Sequence, residues 1–329
     1  MTQRRHLIGG LAGLGLAAPF LARAEDAYTV RLVAGAAGFD HIQPFMAEHL
    51  KIWDKYGLRV NFMGGNYVRS NQMMSIGDFD AGYNQFASAM RYNAAGIDNI
   101  IVAASSANAA MMVTAANVDG WAALKGRRIG IVTKYDVQYL TLTHHILPRF
   151  GLRERDVQLA AVPVPEVASA LMTGDVAAAF PFEPYGTVAL QRGAKLLLPA
   201  DQLIDKATLA SDMLRNGLVL SKRFIDARPE LAKRVVWAHL DAVHLMKTQP
   251  SVGIDVLKHY APSIDRTLLE DASKNCGWGY NAPPEPWIQS LLGWMKADRL
   301  LQRDVGYNDV VDLSFANAYP GYPGYEKLS

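Results

Sequence analysis

The chain has 329 residues, 19% of them charged and 50% hydrophobic, with a formal net charge of +2. That balance suits a well-packed globular protein of one large or two medium domains and excludes a disordered or fibrous one. A single cysteine, Cys276, excludes an internal disulfide and a cysteine-based zinc site, and no basic patch points to nucleic acid.

In chain order, the first segment pairs basic Arg4 and Arg5 with an apolar run from Leu7 to Ala22 and the small-x-small sequence Ala22-Arg23-Ala24. This reads as a secretory signal peptide over residues 1–24. The two arginines suit either a twin-arginine or a Sec export signal. A membrane anchor is the rival reading, but the glycine- and alanine-rich run falls short of the roughly 20 residues a spanning helix needs. Beyond residue 24 the chain carries 30 basic and 31 acidic residues, and no later run reaches transmembrane length. A soluble, near-neutral, periplasmic protein is the expectation.

The next two hundred residues repeat themselves. "IGDFDAGYNQFAS" (76–88) matches "TGDVAAAFPFEPY" (173–185), and Arg31 matches Arg128 at the same offset of 97. "KYGLRV" (55–60) echoes "RFGLRERDV" (149–157) slightly out of phase, which implies a small insertion. Each unit reads strand, loop, helix, Gly-Leu turn, strand, loop, helix, Gly-Asp turn, strand, loop. Such βαβαβ order predicts an α/β fold of two similar lobes, each an open, mostly parallel sheet flanked by helices. Lobe 1 is expected over residues 25–113, lobe 2 over 114–214, and a return to lobe 1 with C-terminal helices and tail over 215–329. The carboxyl third opens on a long helix with Pro229 near its start and Leu231, Val235, Val236, Leu240 and Val243 at helical spacing. The repeat of proline and glycine in "YPGYPGY" (319–325) predicts a mobile or surface-hugging end.

Ligands of open parallel sheets sit at the carboxyl ends of the strands, so the strand-end loops of both lobes, facing across a cleft, are the candidate site. The first such loop, "GAAGFDH", offers Phe39, Asp40 and His41, with Asp40 read first as a helix N-cap and second as a ligand contact. Asn66 in "MGGNYV" is a cap or a ligand donor. Tyr83, Asn84 and Gln85 end another strand, where amides read polar edges and a ring stacks, or Asn84 merely bonds its own turn. Ser105 or Ser106 either donates to a ligand or satisfies local backbone. In the second lobe Thr133, Lys134, Tyr135 and Asp136 stand where a helix begins and free N–H groups favour an anion, with Thr133 or Asp136 alternatively capping that helix. Glu183 and Tyr185 lie on a loop after Pro181 ends a strand. Glu183 has no helix to decorate there, so Glu183→Gln is expected to weaken binding with little change in melting temperature; a structural salt bridge is the alternative. Histidine spacings (144/145, 239/244) match no metal pair, and neither metal nor cofactor is expected.

Three stretches carry a family resemblance. "DGWAALKGRRIGIVTKYD" (119–136), "DVQLAAVPVPEVASALMTGDVAAAFPFEPY" (156–185) and "LSKRFIDARPELAKRVVWAH" (220–239) resemble, in order, segments of the solute-binding proteins of nitrate, sulfonate, taurine and thiamine-pyrimidine ABC importers. Ala177 and Ala122 stand where those proteins often have aspartate. The resemblance implies a two-lobed type II periplasmic-binding fold that closes on a small molecule and delivers it to an ABC permease and its ATPase, as a monomer and without chemistry. The aromatic and acidic residues of the cleft loops (Phe39, Tyr83, Phe86, Tyr135, Phe182, Tyr185; Asp40, Asp136, Glu183) favour a planar nitrogen heterocycle such as a thiamine-type pyrimidine. A sulfonate, aromatic carboxylate or nitrate is the alternative, with Lys134 and His41 as cations. An enzyme of pyrimidine biosynthesis on the same fold is a further alternative, opposed by the lone Cys276, which lies far from the strand-end loops in sequence.

Overall fold

The computed structural model describes residues 28–35, 37–209 and 211–321; the segment expected to be a signal peptide and the last residues of the tail lie outside them. Two five-stranded sheets organise the chain. The first has the order β2-β1-β3-β11-β4, built from β1 (Thr29–Ala34), β2 (Arg59–Gly64), β3 (Ala81–Gln85), β4 (Asn99–Ala104) and β11 (Asn216–Ser221). The second has the order β10-β6-β9-β7-β8, from β6 (Met112–Thr114), β7 (Arg128–Ile131), β8 (Gln158–Ala161), β9 (Ala178–Ala179) and β10 (Lys195–Leu198).

Read from the β2 and β8 edges, the two sheets are the same. In each, three parallel strands are followed by one antiparallel strand in fourth place, β11 in lobe 1 and β6 in lobe 2. The repeat seen in the sequence accounts for this: Gly77 and Gly174 hold the left-handed turn, φ +73° and +79°, that launches the third strand of each lobe. The insertion behind the out-of-phase echo is a single helical turn, Glu154–Asp156, placed just before β8. Each antiparallel strand arrives by a crossover, residues 105–111 outward and 211–215 back. The two crossovers pair with one another, Asn108 N–H to Met213 O at 2.7 Å, and short β5 (Ala107–Asn108) also pairs with β12 (Cys276–Gly277).

Burial follows from this layering. Strands β4 and β11 are buried at every residue: β11 lies between β3 and β4, and β4, though last in the sheet, has its outer side covered by the chain around Val311, which bridges to Ile101. Gly217 permits their approach, since a Cβ there would lie 2.1 Å from Ala103 O and 2.6 Å from the Phe86 ring. The apolar stripe of helix Pro229–Thr248 packs on helix Gln43–His49, closing the lobe 1 core. Helix Glu285–Ala297 instead bridges the lobes, meeting helix Phe86–Ala94 on one side and helix Val137–Thr141 on the other. Among the described residues no helix is long and apolar enough to cross a membrane. Of the tail expected to be mobile or surface-hugging, the first residue is held down: Tyr319 is buried, its ring packs on Trp237, and its hydroxyl donates to Asp241.

One buried histidine sets a pH response. His239, fully buried, lies between the Tyr83 hydroxyl at its Nδ1 (2.8 Å) and Ala104 O at its Nε2 (2.7 Å), and burial pushes its pKa down to about 4. The neutral ring is therefore the folded form, while an unfolded chain takes up a proton below about pH 6.5. Stability from this group is complete above pH 6.5 and is lost as pH falls toward 4, by about 3 kcal/mol in all. Urea unfolding at pH 7.5 and 4.5 should therefore show a smaller pH-dependent loss in His239→Gln than in the parent; equal losses would assign the acid sensitivity to other groups.

Candidate functional site

Residues that follow β1, β3, β7 and β9 come together: Asp40 and Phe182 both contact Arg215 on the returning crossover, and Gln85 at the end of β3 meets Val137 beyond β7. Asp40, on the loop after β1, was expected to cap a helix. The structure corrects this: Ile42 holds the cap position of helix Gln43–His49 and no side chain caps it. The Asp40 carboxylate, 5% exposed, instead accepts hydrogen bonds from Arg215 Nη2 and Asn216 Nδ2, each at 2.8 Å, and its other oxygen lies 2.9 Å from His41 Nδ1. A buried guanidinium is a stronger partner than a helix N–H, and the local rule yields to it. Burial alone would raise the Asp40 pKa, but His41 and Arg215 hold the group well below the usual carboxylate range, so it is ionised.

Arg215 is the centre of this cluster and sits on the returning crossover, 3% exposed. Its carbonyl accepts from Phe86 N (2.8 Å), and the neighbouring Leu214 carbonyl accepts from Trp287 Nε1 (2.8 Å), so the backbone is pinned from both sides. The guanidinium lies 4.7 Å over the Phe182 ring of lobe 2 while binding Asp40 of lobe 1. Its Nε and Nη1 have no hydrogen-bond partner among the described residues. Two buried, unpartnered donors on a cation carry a desolvation cost that an anionic ligand would relieve.

Around it stand further polar groups. Asp136, 2% exposed, caps helix Val137–Thr141 by accepting from Tyr139 N at 2.7 Å, while its second oxygen is unpartnered. Burial raises its pKa to about 6, against the pull of the Tyr139 N–H, the Arg215 charge and the Gln85 amide. Gln85 reaches across from lobe 1 and accepts from Val137 N at 3.3 Å, tying the end of β3 to the start of a lobe 2 helix. Ser105, fully buried beside Asn216, leaves its hydroxyl unpartnered.

The remaining sequence candidates fall elsewhere. Phe39 is core, edge-on to Trp278, and Phe86 is fully buried. Tyr83 turns inward to His239, so it offers no stacking face. Asn84 accepts from Gln85 N and leaves its amide nitrogen unpartnered. Asn66 is exposed and caps helix Tyr67–Ser75 through Arg69 N. Thr133 bonds the Lys134 carbonyl at 3.4 Å, Lys134 lies on an exposed hollow with Arg153 and Arg155, and Tyr135 is 41% exposed at φ +70°. These three do not join the Arg215 cluster.

Glu183 requires a correction. A helix begins two residues later, Tyr185–Gln191, and Glu183 serves it: its oxygens accept from Thr187 N (3.0 Å), Thr187 Oγ1 (2.9 Å) and Asn275 Nδ2 (2.6 Å). Tyr185 accordingly stands on that helix and not on a loop, half-buried and edge-on to Phe182. The carboxylate is fully buried and both its oxygens are already bonded, to Thr187 on the helix it precedes and to Asn275 from the carboxyl third. Glu183→Ala should therefore lower unfolding free energy by about 2–3 kcal/mol, the usual cost of stranding partners of a charged acceptor. Denaturant titration without ligand measures this; an unchanged midpoint together with lost ligand affinity would restore the ligand role.

Cys276 is likewise near the cleft despite its distance in sequence, because β12 pairs with Asn108 of the crossover. Burial, with the charges of Glu183 and Asp40, pushes its thiol pKa well up. Its Sγ faces Ala272 O at 3.5 Å, and a thiol so protonated is a poor nucleophile. Arg215 itself is absent from the sequence candidates. Its signal was a lone cation in "DMLRNGLVLS", just before the apolar run Leu218–Leu220, where a charge must find a partner.

No curated protein sequence matches the chain. Solved structures match its fold. The alkanesulfonate-binding protein SsuA from Xanthomonas axonopodis pv. citri, bound to MOPS, has a TM-score of 0.68 at 17% identity, covering 84% of this chain and 94% of its own. The periplasmic aliphatic sulphonate binding protein SsuA from Escherichia coli gives 0.71 at 16%, covering 86% and 91%. The periplasmic nitrate-binding protein NrtA from Synechocystis PCC 6803 gives 0.70 at 12%, covering 88% and 87%. These are two-lobed type II periplasmic-binding folds, as the paired sheets here are. The NMT1-like family model matches residues 33–254, about two thirds of the sequence, and the chain belongs to the NMT1-like family.

Proposed function

We propose that this protein is the extracytoplasmic binding component of an ABC importer, closing its two lobes on a small organic anion and passing it to a permease. The observation that carries this reading is Arg215, a buried cation held by Asp40 of lobe 1 and Phe182 of lobe 2, with two donors left over. A ligand that fills those donors binds the closed form better than the open one and shifts the population toward it. The alkanesulfonate- and nitrate-binding proteins of the same fold support an oxyanion. Capture without chemistry is supported by the protonated Cys276 and by Glu183, whose oxygens are already bonded.

The aromatic wall that favoured a planar nitrogen heterocycle is thinner in three dimensions, since Phe39, Tyr83 and Phe86 belong to the core. One observation keeps that reading second: the unpartnered oxygen of Asp136 suits a ring N–H. A thermal-shift screen of residues 25–329 against sulfonates, aromatic carboxylates, nitrate and pyrimidines separates the two. A true ligand at a hundredfold its Kd adds about 2.7 kcal/mol. Stabilisation by pyrimidines alone would reverse the order of the two readings.

A further inference from the structure

Lobe 1 holds a cavity of about 660 Å³ at the ends of β1 and β2, on the side where the strands meet the cleft. Its lining includes the rings of Phe45, Phe62 and Tyr260, the thioethers of Met63 and Met73, and the charged side chains of Glu48 and Arg69. Phe45 and Tyr260 meet edge to face at 5.0 Å, and Phe45 and Phe62 are tilted at 5.9 Å, so the three rings pack on one another as one continuous aromatic wall. The wall formed by Gly64 and Gly65 is backbone only. Both take left-handed φ, +101° and +83°, and a Cβ on Gly64 would lie 2.7 Å from Ala34 O, so that stretch resists any side chain.

The cavity adjoins the polar cluster. Phe45 lines it and lies 6.5 Å, ring to ring, from His41, which is paired with the Asp40 that holds Arg215. Ala34 and Gly35 line it as the chain leaves β1 for the loop carrying those residues. Tyr260 is 39% exposed although it is a large aromatic at the end of a packed helix. A space this large, with aromatic and thioether walls and the opposite charges of Glu48 and Arg69 in its lining, has far more apolar surface than an inorganic ion or a one-carbon acid can use.

We propose that this cavity takes the ring of the cleft ligand, so that the protein selects aromatic acids over small ones. The proposal rests on the anion reading above and adds a substrate class to it. The ring lies against the wall formed by Phe45, Phe62 and Tyr260, and the acidic group lies toward the polar cluster on the His41 side of Phe45.

Calorimetry with two probes, naphthalene-2-sulfonate and methanesulfonate, tests this on the full mature chain. The parent protein should prefer the naphthalene acid by at least tenfold. Tyr260→Ala, which removes a wall, and Asn61→Trp, which fills the space from an exposed lining position, should each cut that preference at least fivefold. A melting curve for each variant establishes that it is folded, and two variants of opposite volume guard against loss of one. Equal affinity of the parent for both probes, or a preference that survives both substitutions, overturns the aromatic selection while leaving the anion reading intact. If neither sulfonate binds, nor 2-naphthoate and acetate in their place, the anion reading falls and the proposal falls with it.

Discussion

Arg215→Met should abolish ligand binding and lower the unfolding free energy by about 3–5 kcal/mol, because it strands a buried, ionised Asp40. His41 and Asn216 remain beside Asp40, but neither supplies the permanent charge that Arg215 does. The two effects separate in a double variant. Asp40→Asn combined with Arg215→Met removes both charges at once and should recover much of the stability, since replacing a buried pair by neutral groups is often nearly neutral. Binding should stay absent in the double variant, because the donors that face the ligand are still missing. Urea titrations and calorimetry on the three proteins decide it. A double variant that regains both properties would make Arg215 a structural lock with no ligand role.

Trp287→Ala is the second large effect expected. The indole is fully buried, meets Trp294 edge to face at 5.9 Å, and donates to Leu214 O on the crossover. Truncating it removes a large buried ring at a cost of about 3–5 kcal/mol. It also frees the residue that precedes Arg215. Trp287→Phe keeps most of the packing and loses the N–H, so it should cost about 1–2 kcal/mol, mainly by leaving Leu214 O unpartnered. Hydrogen exchange separates local from global loosening: the amides of residues 214–216 should exchange faster in Trp287→Phe while those of β7 and β8 do not. Uniform acceleration would mean that the indole only packs.

The architecture was open to sequence reading because its signals are local and repeated. Gly-Asp turns, short apolar strands and the Pro229 helix start each depend on residues within a few positions, and the repeat at 97 doubled them. The cluster was harder to see. Asp40 and Arg215 lie 175 residues apart, and nothing local joins them. Asp40 stands three residues before a helix, so capping was the one rule in view. Tyr83 and Gln85 share a strand and a parity, but Gln85 at the strand end reaches Val137 while Tyr83, two residues back, meets His239. Glu183 was misread for a related reason: two prolines suggested a loop, and the helix they lead into is short and starts on a tyrosine and a glycine.

The place of β11 carries a consequence for how the molecule is assembled. It lies between β3 and β4, yet it follows both by more than a hundred residues, with the whole of lobe 2 intervening. A chain emerging from its amino end therefore has every strand of lobe 2 in hand before lobe 1 can receive its keystone. Lobe 2 is free to fold first, while β3 and β4 wait with unpaired edges, the kind of surface that mispairs with other chains. The long-range closure that completes lobe 1 should be the slow step of maturation, and holding it open is where a chaperone would act.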